Sequence, residues 1–170
     1  MTAPIHTGQA GQTSIDIAKD YLHFGAAHFT IFSATERENL HGHNFFVTAK
    51  MDCSIGDDGL AFDYNIVKQE LKKLCDGLDE KVLLPERSPH LTLVQDGGYV
   101  IAQFNGERIP FLPRDVLTLP VRNITVEELA AHFLATLLAT PAIAALPLLS
   151  MEIRVSSGPG QWAGASWRHP

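Results

Sequence analysis

The chain has 170 residues, with 13 Lys and Arg against 19 Asp and Glu, and a formal net charge of −6. Hydrophobic residues make up 45% of it and charged residues 19%, which is typical of an ordinary folded domain and argues against wholesale disorder. An acidic chain also lacks the basic face that binding to duplex nucleic acid requires. The length suits one domain, and two cysteines, Cys53 and Cys75, are too few for a disulfide scaffold.

The N-terminal residues 1–13 are polar and lack the basic start and apolar run of a secretory signal. We interpret them as a tail that precedes a single domain, residues 14–170. A long apolar stretch, residues 129–149, is interrupted by Pro141 and Pro147. It therefore predicts a buried helix followed by a turn rather than a membrane span, and we expect a cytoplasmic protein with no membrane partner.

The N-terminal half of the domain predicts two strands and a helix. Aromatic residues and alanines within residues 14–33 predict the first strand, and the alternating apolar residues of 44–53 predict the second. A turn at residues 55–59 then leads to a helix over residues 64–75, which Asp63 would cap. The apolar positions of this helix recur at helical spacing: Ile66, Val67, Leu71, Leu74 and Cys75.

The C-terminal half predicts a meander, a second helix and a last strand. Residues 91–112 contain two turn signals, one at 96–98 and one at 105–106, flanked by β-formers. Thr125 and Glu128 form a capping box that opens a helix extending to about residue 139. The alternating residues 151–156 predict the last strand. This order indicates an α+β domain with an antiparallel sheet and helices on one face.

His41 and His43 are the first residues that indicate chemistry. Two positions apart on a strand, their imidazoles share a face at about 6–7 Å, so one metal ion could take a nitrogen from each. Alone this pattern is also compatible with a plain surface turn. An antiparallel neighbour, however, could bring His28 opposite both of them. Three imidazoles with an open fourth position form the ligand set of a catalytic zinc.

These histidine segments resemble the 6-pyruvoyl-tetrahydropterin synthase and 6-carboxy-tetrahydropterin synthase family. That family carries Phe-x-Ala-Ala-His, found here at residues 24–28, followed by His-Gly-His-Asn, found at 41–44. The resemblance extends over about residues 20–165 in the same order. The further matches are Phe62-Asp63, Leu78-Asp79 and the Asn-Ile-Thr-Val-Glu segment at 123–127.

The resemblance implies a tunnelling fold, in which each subunit contributes a four-stranded antiparallel sheet with two helices on one face. The sheets of neighbouring subunits join into a barrel, so it also implies a homo-trimer or homo-hexamer with sites between subunits. The implied activity is that of a zinc-dependent lyase acting on dihydroneopterin triphosphate or a related dihydropterin. By resemblance, Zn²⁺ would be held by His28, His41 and His43. The pathway, whether towards biopterin, queuosine or folate, stays open.

The chain departs from the family at the catalytic positions. No cysteine lies between Ser33 and His41, where the family usually has one, and Asp79-Glu80 stands where the family usually has Asp-His. Glu38, three residues before His41, matches a branch that uses glutamate and releases 6-hydroxymethyl-dihydropterin for folate. A carboxylate can serve as the base if burial raises its pKa. The catalytic candidates are therefore Glu38, Asp79 and Glu80.

With three carboxylates near one zinc, we expect at least one to be protonated at neutral pH or turned towards a basic residue. The two cysteines are interpreted as small core residues. His90 or His132 could supply the missing histidine of the family pattern.

The substrate site departs from the family as well. Ser156 or Ser157 stands where the family commonly has a glutamate that holds the pterin edge, whereas the segment around Thr125 and Glu127 matches. The predicted substrate-binding residues are therefore Thr125, Glu127 and Ser157. Two further alternatives follow from these departures: a member acting on a different pterin, and a non-catalytic homologue that binds zinc and pterin.

Overall fold

The two strands that carry the histidines lie side by side in a large sheet. The structure is a computed structural model and describes residues 11–169. A 3₁₀ turn, Pro113–Asp115, directly precedes the strand that begins at Val116. The strands and helices are β1 (Gln12–Ile17), β2 (His23–His28), β3 (His41–Ser54), α1 (Asn65–Leu78), β4 (Lys81–Pro85), β5 (Thr92–Asp96), β6 (Tyr99–Phe104), β7 (Glu107–Phe111), β8 (Val116–Leu119), α2 (Val126–Ala139), α3 (Pro141–Ala144), β9 (Leu148–Gly158) and β10 (Gln161–Arg168).

The main sheet has seven strands in the order β10-β9-β3-β2-β4-β8, and β1 also pairs with β3. The 14-residue β3 is long enough for its first half to pair with β2 and its second half with β1, while β9 follows its opposite edge. The sheet is thus larger than the four antiparallel strands we predict. The short strands β4 and β8 extend it in parallel beyond β2. The α+β class itself is confirmed.

The N-terminal and C-terminal boundaries also differ from the prediction. Gln12 and Thr13 pair with the end of β3 instead of belonging to a tail, and residues 1–10 of that predicted tail lie outside the described residues. The predicted last strand, residues 151–156, is the centre of the longer β9. β10 follows it as an antiparallel partner that the sequence did not indicate to us.

Helices α1 and α2 bury their apolar faces in one core with the sheet. The Phe24 ring stacks against Phe45 at a centroid distance of 5.0 Å and against Phe133 of α2 at 5.9 Å. The apolar stretch 129–149 forms most of α2 and then the short α3, which begins at Pro141. The predicted buried helix and turn are therefore confirmed. Within residues 11–169, no helix has both the length and the apolar character that crossing a membrane would require.

The helix starts follow the predicted capping only in part. Asp63 Oδ1 accepts a hydrogen bond of 2.9 Å from the Asn65 amide, although the N-cap position is Tyr64. Thr125 Oγ1 accepts from the Glu128 amide at 3.3 Å, as a capping box requires. The Glu128 carboxylate, however, binds the guanidinium and the amide of Arg122 instead of reaching back to Thr125. The reciprocal half of the predicted box is therefore wrong.

The predicted meander is a separate three-stranded sheet, β5-β6-β7, and is confirmed. Its second turn places Asn105 and Gly106 at φ values of 45° and 80°, the left-handed region that such hairpin turns require. Side chains of this sheet pack in a second apolar cluster, which includes Phe29, Ile31 and Phe104. The three-stranded sheet therefore packs against the segment between β2 and β3, which connects His28 to His41.

Candidate metal centre and active site

The register of β2 and β3 brings three imidazoles together. His28, the last residue of β2, pairs with His41, the first residue of β3, and Ala26 pairs with His43. One ring nitrogen from each histidine lies within 4.8 Å of the others. The Nε2 atoms of His41 and His43 are 3.0 Å apart. The predicted convergence of the three histidines is therefore found in the structure.

Two backbone carbonyls orient the imidazoles towards one another. His28 Nδ1 lies 2.8 Å from the carbonyl oxygen of Ile124, and His41 Nδ1 lies 2.8 Å from that of Asn39. Because a carbonyl oxygen only accepts, both Nδ1 atoms carry the proton, and the Nε2 lone pairs face inwards. Buried His28 Nε2 has no hydrogen-bond partner among the described residues. Such an orphan is costly, and three facing imidazole nitrogens fit a metal cation, so these histidines could hold one.

Burial keeps His28 neutral. It lowers the pKa of His28 from 6.5 to about 4, and the hydrogen bond to the Ile124 carbonyl only partly opposes this effect. The neutral imidazole is the form that binds a metal ion. His28 therefore keeps the neutral, metal-binding form of its imidazole well below neutral pH.

We expect the metal-free protein to lose stability as the pH falls from about 6.5 to about 4. In this range unfolded His28 takes up a proton and folded His28 does not, so the free energy of unfolding decreases with decreasing pH. Urea unfolding in chelator checks this. His28→Gln should flatten the pH dependence, whereas His90→Gln, at an exposed histidine, should not. Equal slopes in the two variants would contradict the assignment.

Glu38 lies beside the imidazoles, in the segment between β2 and β3. Its Oε2 atom is 3.9 Å from His41 Nε2 and accepts a hydrogen bond of 2.9 Å from the Thr30 amide. The Glu38 amide in turn donates to the Thr30 carbonyl at 2.9 Å. Burial acts to raise the pKa of this carboxyl, but the hydrogen bond from Thr30 and the nearby histidines outweigh it and hold the pKa below 4.5. The condition considered from the sequence, that burial raises this pKa, is therefore not met, and Glu38 is ionised at neutral pH.

Asp79 and Glu80 lie away from the three imidazoles. Asp79 Oδ1 accepts a hydrogen bond of 2.7 Å from the Gly25 amide, and Glu80, at a left-handed φ of 57°, donates its amide to the Gly25 carbonyl. Glu80 borders a second depression, which Gly42, His43 and Asn44 also line, and neither Asp79 nor Glu80 lines the cleft shared by the three histidines. Within one chain, the three candidate carboxylates are therefore not gathered around one site.

A cleft of about 380 Å³ opens over the imidazoles. The three predicted substrate-binding residues, Thr125, Glu127 and Ser157, all line it. Of the two serines considered, Ser156 is buried and bonded to the backbone of Gly158, whereas Ser157 faces the cleft and accepts a hydrogen bond from Gln161 Nε2 at 2.9 Å. The other lining residues are Thr30, Glu38, Phe45, Val126 and Gln161.

Some residues that shape the site were missed by the sequence analysis. Asn123 accepts hydrogen bonds from the amides of Ile31 and Ile124 and donates to the Ile31 carbonyl. It thereby ties the segment after β2 to the start of α2, where the Ile124 carbonyl orients His28. The matching 123–127 segment signalled a helix start but not this role. Gln161 carried no signal, because β10 itself was not predicted.

The remaining candidates from the sequence lie elsewhere. Cys53 and Cys75 are fully buried core residues, as predicted, and burial raises the pKa of Cys75 to about 12. Burial also raises the pKa of Cys53. His90 is exposed, and His132 is in α2; neither lines the cleft. Neither His90 nor His132 therefore supplies a replacement histidine to this cleft.

Comparison with known proteins identifies the class to which this fold and cleft belong. The model of the 6-pyruvoyl tetrahydropterin synthase family matches residues 17–166. The chain therefore belongs to the 6-pyruvoyl tetrahydropterin synthase family, whose members are lyases of pterin biosynthesis.

Individual relatives agree with this assignment. A protein of Methanocaldococcus jannaschii, provisionally named a 6-carboxy-5,6,7,8-tetrahydropterin synthase, is 29% identical over 113 residues, which cover 66% of this chain and 69% of that protein. The crystal structure of 6-pyruvoyl tetrahydropterin synthase from Plasmodium vivax has a TM-score of 0.87 at 26% identity, covering 94% of this chain and 99% of that one. The Plasmodium falciparum enzyme gives 0.86 at 27% identity, covering 93% and 99%. In the P. vivax enzyme, a glutamate replaced by alanine or cysteine is described as a catalytic residue.

Proposed function

We propose that this protein is a zinc-dependent lyase that acts on dihydroneopterin triphosphate or a related dihydropterin, in the manner of the 6-pyruvoyl- and 6-carboxy-tetrahydropterin synthases. The observation that carries the proposal is the cleft in which the Nε2 atoms of three histidines converge beside an ionised carboxylate. Membership of the family supports the substrate class. A cytoplasmic location stays the prediction made from the sequence.

The histidines and Glu38 have separate roles in this proposal. His28, His41 and His43 would hold the metal, which when bound supplies a Lewis acid that polarises substrate oxygens and acidifies the adjoining C–H group. Glu38, ionised and beside His41, accepts the proton that leaves the substrate carbon and can return it. The Thr30 amide fixes the carboxylate during this transfer. A glutamate is also described as catalytic in the P. vivax enzyme, which supports assigning this role to Glu38.

The residues of α2 and β9 that line the cleft would hold the pterin. Thr125 and Glu127, at the start of α2, and Ser157, at the end of β9, line the cleft. A carboxylate such as Glu127 can accept two hydrogen bonds from the amidine edge of a pterin, and the hydroxyl of Ser157 can donate or accept one. We assign substrate binding to these three residues.

Mass spectrometry of one incubation tests the proposed function. We expect zinc-loaded protein to remove triphosphate from dihydroneopterin triphosphate and to release a 6-pyruvoyl- or 6-carboxy-tetrahydropterin, while chelated protein releases none. Formation of 6-hydroxymethyl-dihydropterin would instead identify the glutamate-dependent route. Pterin that binds without turnover would identify a non-catalytic homologue and overturn the proposed activity.

We further propose that the protein is a trimer or hexamer. The main sheet ends in two strands, β10 and β8, that have no further neighbour among the described strands, and exposed edges are usually paired or covered. Closure of the sheets into a barrel between subunits would pair them. Asp79 and Glu80, which do not line the cleft over the three histidines of their own chain, would then contribute to a site shared with a neighbouring subunit.

Light scattering measures this assembly. We expect a mass of about three or six times 18.6 kDa. A stable species of 18.6 kDa would contradict both the barrel and the shared site.

A further inference from the structure

We propose that Arg37 is a positioning residue, which fixes Glu38 beside the metal centre by anchoring the segment between β2 and β3 to the three-stranded sheet β5-β6-β7. The inference rests on the proposed function, because it concerns the residue assigned there as the base. Arg37 lines no part of the cleft itself, so it acts through Glu38 and not on the substrate.

The Arg37 guanidinium is held from three sides. Its carbon lies 5.1 Å from the centre of the Phe29 ring and 5.7 Å from that of Phe104, so the cation faces two aromatic rings. Nη2 donates to the Glu107 carboxylate at 2.6 Å. Nη1 donates to the carbonyl oxygen of Glu38 at 2.8 Å. One side chain thus joins Phe29, which directly follows β2, and the strands β6 and β7 to the backbone of the proposed base.

This arrangement differs from an ordinary surface ion pair. The Arg37 side chain is only 17% exposed, whereas Arg108 and Asp96, paired on the same three-stranded sheet, are 56% and 60% exposed. Arg37 Nε is also buried without a hydrogen-bond partner among residues 11–169. Burying a guanidinium in this way carries a desolvation cost that an exposed pair avoids. We therefore assign the buried Arg37 guanidinium a role in holding the backbone of Glu38.

The position of the Glu38 carboxylate depends on this backbone. Arg37 forms an antiparallel bridge with Ile31, and Glu38 exchanges two hydrogen bonds with Thr30, one through its amide and one through Oε2. The Glu38 side chain is itself 37% exposed, so few neighbours restrain it directly. Loss of the hydrogen bond from Arg37 to the Glu38 carbonyl would let the paired segments 30–31 and 37–38 shift. A displacement of about 1 Å is enough to cost a reaction as much as about 10²-fold.

Steady-state kinetics of Arg37→Gln tests the inference. We expect kcat to fall about tenfold or more, with KM unchanged within about twofold and metal content unchanged, because the substrate and metal ligands stay in place. In a Glu38→Gln background the same change should cost nothing further, since Arg37 acts only through Glu38. Arg37→Lys, which keeps the charge but loses the planar fork, should recover part of kcat.

Amide hydrogen exchange supplies a readout that does not depend on turnover. The Thr30 amide, which donates to Glu38 Oε2, should exchange faster in Arg37→Gln than in wild type. Arg108→Gln, which breaks the exposed pair on the same sheet, is the matched control and should leave both kcat and Thr30 exchange unchanged.

Wild-type kcat in Arg37→Gln, or an equal loss of kcat in the Glu38→Gln background, would overturn the inference. Wild-type Thr30 exchange in Arg37→Gln would overturn it as well. If the wild-type protein turns over no dihydropterin, the proposed function fails, and the exchange comparison alone then decides whether Arg37 positions Glu38.

Discussion

Alanine at His43 is expected to remove the metal and to abolish turnover. His41 and His43 present Nε2 atoms 3.0 Å apart, a distance at which two lone pairs repel unless a cation or a proton lies between them. With one imidazole removed, a three-histidine set becomes a two-histidine set, which is too few ligands for a stable zinc site. Elemental analysis should show about one zinc per wild-type chain and almost none in His43→Ala or His41→Ala. His90→Ala, at an exposed position outside the cleft, should retain full zinc.

The same measurement can disprove the site. A His28→Ala/His43→Ala double variant retains only His41 of the cluster, so full zinc in that variant would place the metal elsewhere. Circular dichroism of each variant separates loss of metal from loss of fold. Thermal unfolding of wild type should also shift to lower temperature in chelator, because a ligand that binds only the folded state stabilises it by mass action.

The convergence of the three histidines was predictable because each step depends on local geometry. The spacing of His41 and His43 places both on one face of any strand, and β2 and β3 are consecutive strands that pair antiparallel. The match of residues 24–28 and 41–44 to a known family supplied the register. Sequence alone could not supply the carbonyls of Ile124 and Asn39, because backbone groups have no identity in a motif.

The parallel additions to the sheet were not predictable in the same way. β4 and β8 are five and four residues long, which is too short for a period to be recognised, and both follow other elements without a hairpin turn. Their placement at this edge of the sheet depends on contacts between residues far apart in the chain, such as Val82 of β4 with Val116 of β8. The position of Asp79 and Glu80 depends on the same topology, because these residues connect α1 to β4. The sequence motif therefore identified these two residues but not their position outside the cleft of the three histidines.

The state of Glu38 could not be deduced from its sequence neighbours either. Its spacing from His41 suggested a base, but its pKa is set by the Thr30 amide eight positions earlier and by the imidazoles. The Thr30 amide points at the carboxylate only because the chain between the two residues folds back, so that the Glu38 amide donates to the Thr30 carbonyl. Burial alone would shift the pKa in the opposite direction.

Glu38→Gln is expected to lower turnover by at least about tenfold without loss of zinc, because a positioned general base contributes roughly 10²–10⁴-fold. Glutamine keeps the size of the side chain and can still accept from the Thr30 amide, but it cannot take the substrate proton. Zinc content should not change, since Glu38 Oε2 lies 3.9 Å from His41 Nε2 and the three imidazoles remain. Asp79→Asn is the comparison that locates the base. If Glu38→Gln keeps wild-type turnover while Asp79→Asn abolishes it, the base lies at the site shared between subunits and Glu38 has no part in the chemistry.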